Sequence, residues 1–184
     1  MREVPPAIVV MGVSGCGKSS VGQALADRFG ADFIEGDALH PPASITKMAR
    51  GEPLDDEDRR PWLAAIGRTI AASRAAGRAV VVSCSALRRA YRDQLRTAGQ
   101  LHIVFLSGSR AVLAERMSQR AGHFMPLALL DSQLATLEVP TGEADVVTVD
   151  IDRPLADVIA LAGEAISQAQ AAGTEAALSA SQGG

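Results

Sequence analysis

One stretch constrains the fold more than any other. An apolar run, Ala7-Ile8-Val9-Val10-Met11, leads into Gly12-Val13-Ser14-Gly15-Cys16-Gly17-Lys18-Ser19 and then into an amphipathic segment from Ser20 to Phe29. The middle eight residues fit G-x-x-x-x-G-K-[ST] and stand between a predicted strand and a predicted helix, as a phosphate-binding loop requires. The chemistry explains the spacing. A triphosphate needs many converging donors, and a loop of small residues lets backbone N–H groups supply them. Gly12, Gly15 and Gly17 permit backbone angles and close approaches that a Cβ would forbid. The helix N-terminus adds partial positive charge. Lys18 is placed to reach the β- and γ-phosphates and Ser19 to ligate Mg²⁺, while Val13, Ser14, Cys16 and Ser20 complete the nucleotide-binding set. An ordinary glycine-rich turn needs neither Lys18 nor Ser19. The motif therefore predicts a nucleoside triphosphate with Mg²⁺, and it does not name the acceptor.

The remaining sequence sets limits. A chain of 184 residues has the length of one domain with a substantial core. Aromatic residues make up only 3%, so Ala, Val, Leu and Ile must build that core. A net charge of −3 gives no reason to expect nucleic-acid binding. No apolar run approaches a membrane span, and Met1 to Pro6 lacks the apolar region of a secretory signal. The two cysteines, Cys16 and Cys84, make neither a disulfide framework nor a metal cluster. A soluble cytoplasmic protein with free thiols is the expectation.

Strand and helix signals alternate along the chain. Strands are expected at residues 7–12, 31–37, 79–84, 101–106 and 145–149. Val21, Leu25 and Phe29 recur at helical spacing, with Gly30 as the stop. A helix is expected to begin within or after the acidic run Glu52 to Pro61, whose carboxylates suit a helix N-terminus, with Pro61 suited to a first helical position. Further helices are expected at 86–98, after Ser109, at 126–137 and from Leu155 onward. Such alternation implies an α/β domain of the P-loop NTPase type. Its three layers are a five-stranded parallel sheet with helices on both faces, plus a small helical lid at about 116–138. Residues 1–172 form the expected domain and 173–184 an expected flexible tail. The motifs that look chemical all follow strands, where ligands bind in such sheets.

Glu35 and Asp37 lie two apart at a strand end and can face the same side. One carboxylate there can orient an acceptor hydroxyl, and either can hold a water of the Mg²⁺ shell. The motifs that follow form an ordered set: Gly36-Asp37-Ala38-Leu39-His40-Pro41, Lys47 to Leu54, Asp58-Arg59-Arg60-Pro61-Trp62-Leu63, Cys84 to Asp93, and Gly122-His123-Phe124-Met125. Over about residues 7–168 this set resembles gluconokinase, a small P-loop carbohydrate kinase family related to shikimate and adenylate kinases. The resemblance implies phosphorylation of the terminal hydroxyl of D-gluconate by ATP, giving 6-phosphogluconate, in a homodimer. It implies that Asp37 orients the hydroxyl, and it makes His40, Lys47, Arg50, Arg59, Ser85, Arg88 and His123 candidate contacts for the polyhydroxylated anion. A solvated helix face competes for Lys47 and Arg50, pairing with Asp55 or Asp56 competes for Arg59, and Trp62 reads as packing.

Arg116 and Arg120 share a helix face by spacing. In the resembling fold they close over the nucleotide and neutralise the transferring phosphoryl group. The loop Asp150 to Leu155 is expected to cradle adenine, with Pro154 on one side and Arg116 on the other. Two residues depart from the family pattern: Val139 stands where an acid is usual and Leu134 where an aromatic is usual. Cys16 replaces a more usual serine, and a thiol at a helix N-terminus predicts oxidant-sensitive activity. A kinase for another hydroxy acid such as shikimate, or a nucleotide-binding module without turnover, are the alternatives.

Overall fold

The computed structural model describes residues 6–119 and 127–182. Five strands, β1 (Ala7–Met11), β2 (Asp32–Glu35), β3 (Val80–Ser83), β4 (His102–Ser107) and β5 (Val146–Asp150), form one sheet in the order β2-β3-β1-β4-β5. Every pairing is parallel. The helices are α1 (Lys18–Phe29), α2 (Pro42–Ala49), α3 (Asp56–Ala75), α4 (Arg89–Arg96), α5 (Arg110–Ser118), α6 (Leu127–Thr136) and α7 (Leu155–Gln182). This is the expected P-loop NTPase-type three-layer α/β architecture.

The period of two along a strand splits the core into two layers. Ile8 and Val10 point to a cluster completed by Val21 and Leu25 of α1, Leu113 of α5, Leu130 of α6, and Val158 and Ile166 of α7. Ala7, Val9 and Met11 point the other way, to Trp62, Leu63, Ile66 and Ile70 of α3 and to Tyr91 and Leu95 of α4. Both faces of β1 are thus covered, which is why its sequence is apolar without alternation. β1 lies between β3 and β4, so the chain departs to opposite sides of it. A crevice opens at the carboxyl end of such a central strand, and Gly12 to Ser19 occupy that end.

Local signals set most boundaries. Gly30 ends α1 in the left-handed conformation, φ 60°, as its position predicts. Ser109 caps α5 by accepting the Val112 N–H at 3.3 Å.

α3, whose start the sequence leaves open between the acidic run and Pro61, begins at Asp56, because Asp55 and Asp58 form a reciprocal capping box, with bonds of 2.9 and 3.0 Å. Two boundaries differ from expectation. α4 starts at Arg89 rather than Ala86, because Ala86 has φ 42° and breaks the helical run. α7 continues to Gln182 through the segment expected to be a flexible tail; the alanines there are strong helix formers. Among the described residues, no helix is long and apolar enough to cross a membrane.

Candidate active site

A cleft of about 650 Å³ opens beside the P-loop. Its walls include Ser14 and Lys18 of the loop, Asp37 and His40 beyond β2, Arg59 of α3, and Ser85, Arg88 and Tyr91 beyond β3. α6 closes the remaining side with Leu129, Ser132, Gln133 and Thr136. Donor-side and acceptor-side residues that lie far apart in sequence therefore share one space.

The loop is built by close packing. Gly12 has φ 146°, and a Cβ there would lie 2.7 Å from Cys16 Sγ and 2.9 Å from the Leu106 carbonyl oxygen. Cys16 fills the space that Gly12 leaves, and its thiol is only 1% exposed. The expected oxidant sensitivity has two opposed conditions: burial restricts oxidant access to Cys16, while Lys18 Nζ lies 3.9 Å from its Sγ, and a neighbouring cation promotes thiol reactivity. Cys84 is likewise buried, and burial pushes its thiol up to about 12. Lys18 Nζ donates to the Val13 carbonyl at 3.0 Å. An ammonium carries three donors, so others are available to phosphate. Ser19 follows in the first turn of α1, where N–H groups have no partner within the helix.

Asp37 is positioned by its neighbour. Gly36 runs so close to β3 that a Cβ would sit 2.0 Å from the Ser83 carbonyl oxygen. The Gly36 carbonyl accepts the Trp62 indole N–H at 2.7 Å, and its N–H donates to Ser83 Oγ at 3.2 Å. Ser83 Oγ–H in turn donates to the Glu35 carboxylate. This web fixes the strand end, and the 3-10 turn Gly36–Leu39 then carries Asp37 into the cleft with its side chain 71% exposed. Trp62 packs, as expected, with its ring stacked on His40 at 4.2 Å. His40 Nε2 lies 4.0 Å from Asp37 Oδ1, and Nδ1 is buried without a partner. Burial lowers the His40 pKa, outweighing the nearby Asp37 charge, which favours the neutral ring.

The basic candidates separate sharply. Arg59 and Arg88 flank the Tyr91 ring, with guanidinium carbons 5.7 and 6.0 Å from its centroid. Arg59 Nε donates to the Leu54 carbonyl at 3.3 Å, so the pairing with Asp55 or Asp56 weighed from sequence does not form. Arg88 pairs with Asp56 at 2.9 Å, and the Tyr91 hydroxyl donates to the same carboxylate. Burial, with that hydrogen bond second, pushes the Tyr91 phenol up to about 12. Lys47 and Arg50 are not brought into the cleft wall. Lys47 bonds Asp58 at 2.5 Å, which raises its pKa, and Arg50 pairs with Glu52 at 3.1 Å on the surface. Arg116 is also directed elsewhere. Its Nη2 donates to the Ile151 carbonyl at 2.6 Å and the Arg153 carbonyl at 3.2 Å, bracing the loop before Pro154 instead of lining the cleft with Lys18 and Asp37. The Pro154 carbonyl accepts the Asp157 and Val158 N–H groups at the start of α7. Arg120 and His123 lie outside the described residues.

Among the cleft residues that the sequence does not single out are Tyr91, Asp56 and Gln133. Asp56 was hidden in an acidic run whose helix-start signal accounts for every carboxylate. Tyr91 lies within the matched segment Cys84 to Asp93, where a single aromatic carries no site signal of its own. Gln133 carries no signal, being one polar residue on an amphipathic helix. The two departures also find places: Leu134 packs against the core, and Val139 is 60% exposed.

Comparison with known proteins agrees with this geometry. A family model described as an AAA domain matches residues 8–140. The gluconokinase of Gluconobacter oxydans (strain 621H) is 51% identical over 146 residues, covering 79% of this chain and 82% of its own. The thermoresistant gluconokinase of Escherichia coli (strain K12) is 43% identical over 162 residues, covering 87% and 93%. A crystal structure of a gluconokinase from Sinorhizobium meliloti 1021 superposes with a TM-score of 0.80 at 60% identity, covering 89% of this chain and 94% of that one.

Proposed function

The chain belongs to the gluconokinase family, and from that premise we propose how its site carries out ATP-dependent phosphorylation of D-gluconate to 6-phospho-D-gluconate. The observation that carries the reading is the single cleft joining Ser14 and Lys18 to Asp37, Arg59 and Arg88. ATP lies on the P-loop with its γ-phosphate toward Asp37. The terminal hydroxyl oxygen of gluconate attacks the γ-phosphorus in line. The bond from phosphorus to the β,γ-bridging oxygen breaks, and ADP leaves with that electron pair. Asp37 orients the hydroxyl and takes up its proton. Lys18 and the loop N–H groups spread the charge of a loose transition state, which is most of what a protein contributes to this reaction.

The donor set fits Mg²⁺. Ser19, Glu35 and Asp37 offer hard oxygen ligands, and Mg²⁺ in such sites keeps waters and substrate phosphates rather than an all-protein cage. The ion would be held by Ser19, with Glu35 and Asp37 acting through water, and it would neutralise phosphate charge.

At the far end of the cleft, Arg59 and Arg88 meet the gluconate carboxylate. The Arg88–Asp56 pair is about half exposed on both sides, and such pairs contribute only about 0–1 kcal/mol, so an anionic ligand can replace Asp56 at little cost. The neutral His40 ring, on the cleft wall beside Asp37, contacts a sugar hydroxyl through its Nε2 edge. Arg116 and Pro154 flank the adenine. A cytoplasmic homodimer completes the reading, and light scattering after size exclusion checks the subunit count.

The test is coupled ADP release measured with gluconate, other aldonates, shikimate and no acceptor. Fast release with gluconate alone is the expected result. Turnover with shikimate but not gluconate would overturn the substrate, and no turnover with any acceptor would overturn catalysis.

A further inference from the structure

Helix α6 and the turn behind it touch both sides of the cleft. Gln133 Oε1 accepts the Ser14 backbone N–H at 2.7 Å, across 119 positions of sequence. The Glu138 N–H donates to the Leu87 carbonyl at 2.9 Å, and a Glu138 carboxylate oxygen accepts the Arg89 N–H at 2.7 Å. Arg89 opens α4, so this carboxylate sits where a helix dipole favours negative charge. Leu87 and Arg89 flank Arg88 in the chain. One short segment therefore holds the donor loop by one bond and the acceptor loop by two.

The residue type at 133 suits this position. A glutamine supplies an acceptor oxygen without charge, whereas a carboxylate there would repel the phosphates bound beside it. The bond also occupies an N–H that precedes α1, leaving the unpaired N–H groups of the first helical turn for phosphate.

We propose that Gln133 is a positioning residue: by fastening α6 to the P-loop at Ser14, it keeps the acceptor hydroxyl, rather than water, in line with the γ-phosphoryl group. This rests on the kinase reading above. When water takes the hydroxyl's place, the same phosphorus–oxygen bond to ADP breaks and inorganic phosphate forms instead of a phosphorylated sugar acid. The protein's contribution is geometric, and small misplacements are costly in such transfers.

The experiment compares wild type, Gln133→Met and Gln133→Glu. Met keeps the length and removes the oxygen; Glu restores the oxygen and adds charge. ADP release is measured with saturating gluconate and with no acceptor. In Gln133→Met the ratio of acceptor-dependent to acceptor-free release is expected to fall about tenfold, with the KM for ATP within about twofold of wild type. In Gln133→Glu the ratio is expected to recover while the KM for ATP rises from charge repulsion. An unchanged ratio in Gln133→Met, or a Glu variant that behaves like Met, would overturn the proposal. Should wild type prefer another acceptor, the gluconate reading falls, and the same ratio measured with that acceptor still decides the role of Gln133.

Discussion

Arg88 and Arg92 stand one helical turn apart and do opposite work. Arg88 is 42% exposed in the cleft and shares Asp56, itself 57% exposed, with Tyr91. The Arg92 side chain is 1% exposed and has no such freedom. Its Nε and Nη2 bond the buried Glu143 carboxylate, and its Nη1 donates to the Ala86 and Leu87 carbonyls at 3.0 and 3.2 Å. Arg96 adds a further bond to Glu143 and a pair with Asp145. Water weakens the first pair and makes it exchangeable. Burial makes the second costly to break, since a buried charge loses hydrogen bonds that water does not replace. The buried pair also has a task. Ala86 sits at φ 42°, a conformation that side-chain-bearing residues hold only when surroundings enforce it. Arg92 enforces it by gripping the carbonyl groups of that turn, and the turn sets Ser85 and Arg88 on the cleft wall. The scaffold arginine thus places the cleft-facing one.

If this division is right, variants on the two sides should fail differently. The largest effect is expected for Arg92→Met, which strips the buried Glu143 of its Arg92 hydrogen bonds and leaves Arg96 as its remaining arginine partner: a loss of about 2 kcal/mol or more in urea unfolding. The same network predicts an acid limb. Hydrogen bonds from Arg92, opposed by burial, hold the Glu143 carboxyl at about 2, against an ordinary 4.5. The folded state therefore binds fewer protons than the unfolded one. That stabilisation is complete above about 4.5 and is lost as pH falls toward about 2. Arg92→Met should flatten this limb in unfolding curves recorded across that range; a limb identical to wild type would separate Glu143 from the network.

On the cleft side, Asp37→Asn should lower kcat at least about tenfold, with the thermal midpoint and ATP binding unchanged. Unaltered turnover would remove Asp37 from hydroxyl orientation. Arg88→Gln should raise the KM for gluconate about tenfold, with the KM for ATP and the unfolding midpoint near wild type. A change in stability as large as that of Arg92→Met would erase the contrast between the two arginines. The smallest effect belongs to Arg50→Ala. Its exposed pair with Glu52 lies outside the cleft wall, so stability should move by less than about 0.5 kcal/mol, and the KM for gluconate should not change. A clear rise in that KM would bring Arg50 back into the site.

The motif Cys84 to Asp93 shows how far sequence reading reaches. It carries Arg88, Arg89 and Arg92, and its composition marks all three alike. Arg88 lies on the cleft wall and the Arg89 side chain is largely exposed, but nothing local marks Arg92 as buried, because its partner Glu143 lies 51 positions away. The same holds for Lys47, which the family resemblance makes a candidate ligand contact until Asp58 is seen to hold it. The reach of Gln133 to Ser14 is equally invisible along the chain.

The sequence alone determined the strand–loop–helix of residues 7–29, the alternation that makes a parallel sheet, and the placing of Asp37 after a strand end. These depend on local properties: hydrophobic period, glycine's backbone freedom, and residue type at fixed offsets. Tertiary structure alone decided which charged groups face solvent and which face one another. It buried Cys16 beneath Gly12, turned Arg116 to the carbonyl groups after β5, delayed the start of α4 from Ala86 to Arg89, and tied α6 to the P-loop. Those outcomes depend on burial and on partners distant in sequence, and the energy of a charge or a hydrogen bond is set by exactly these surroundings rather than by the residue that carries it.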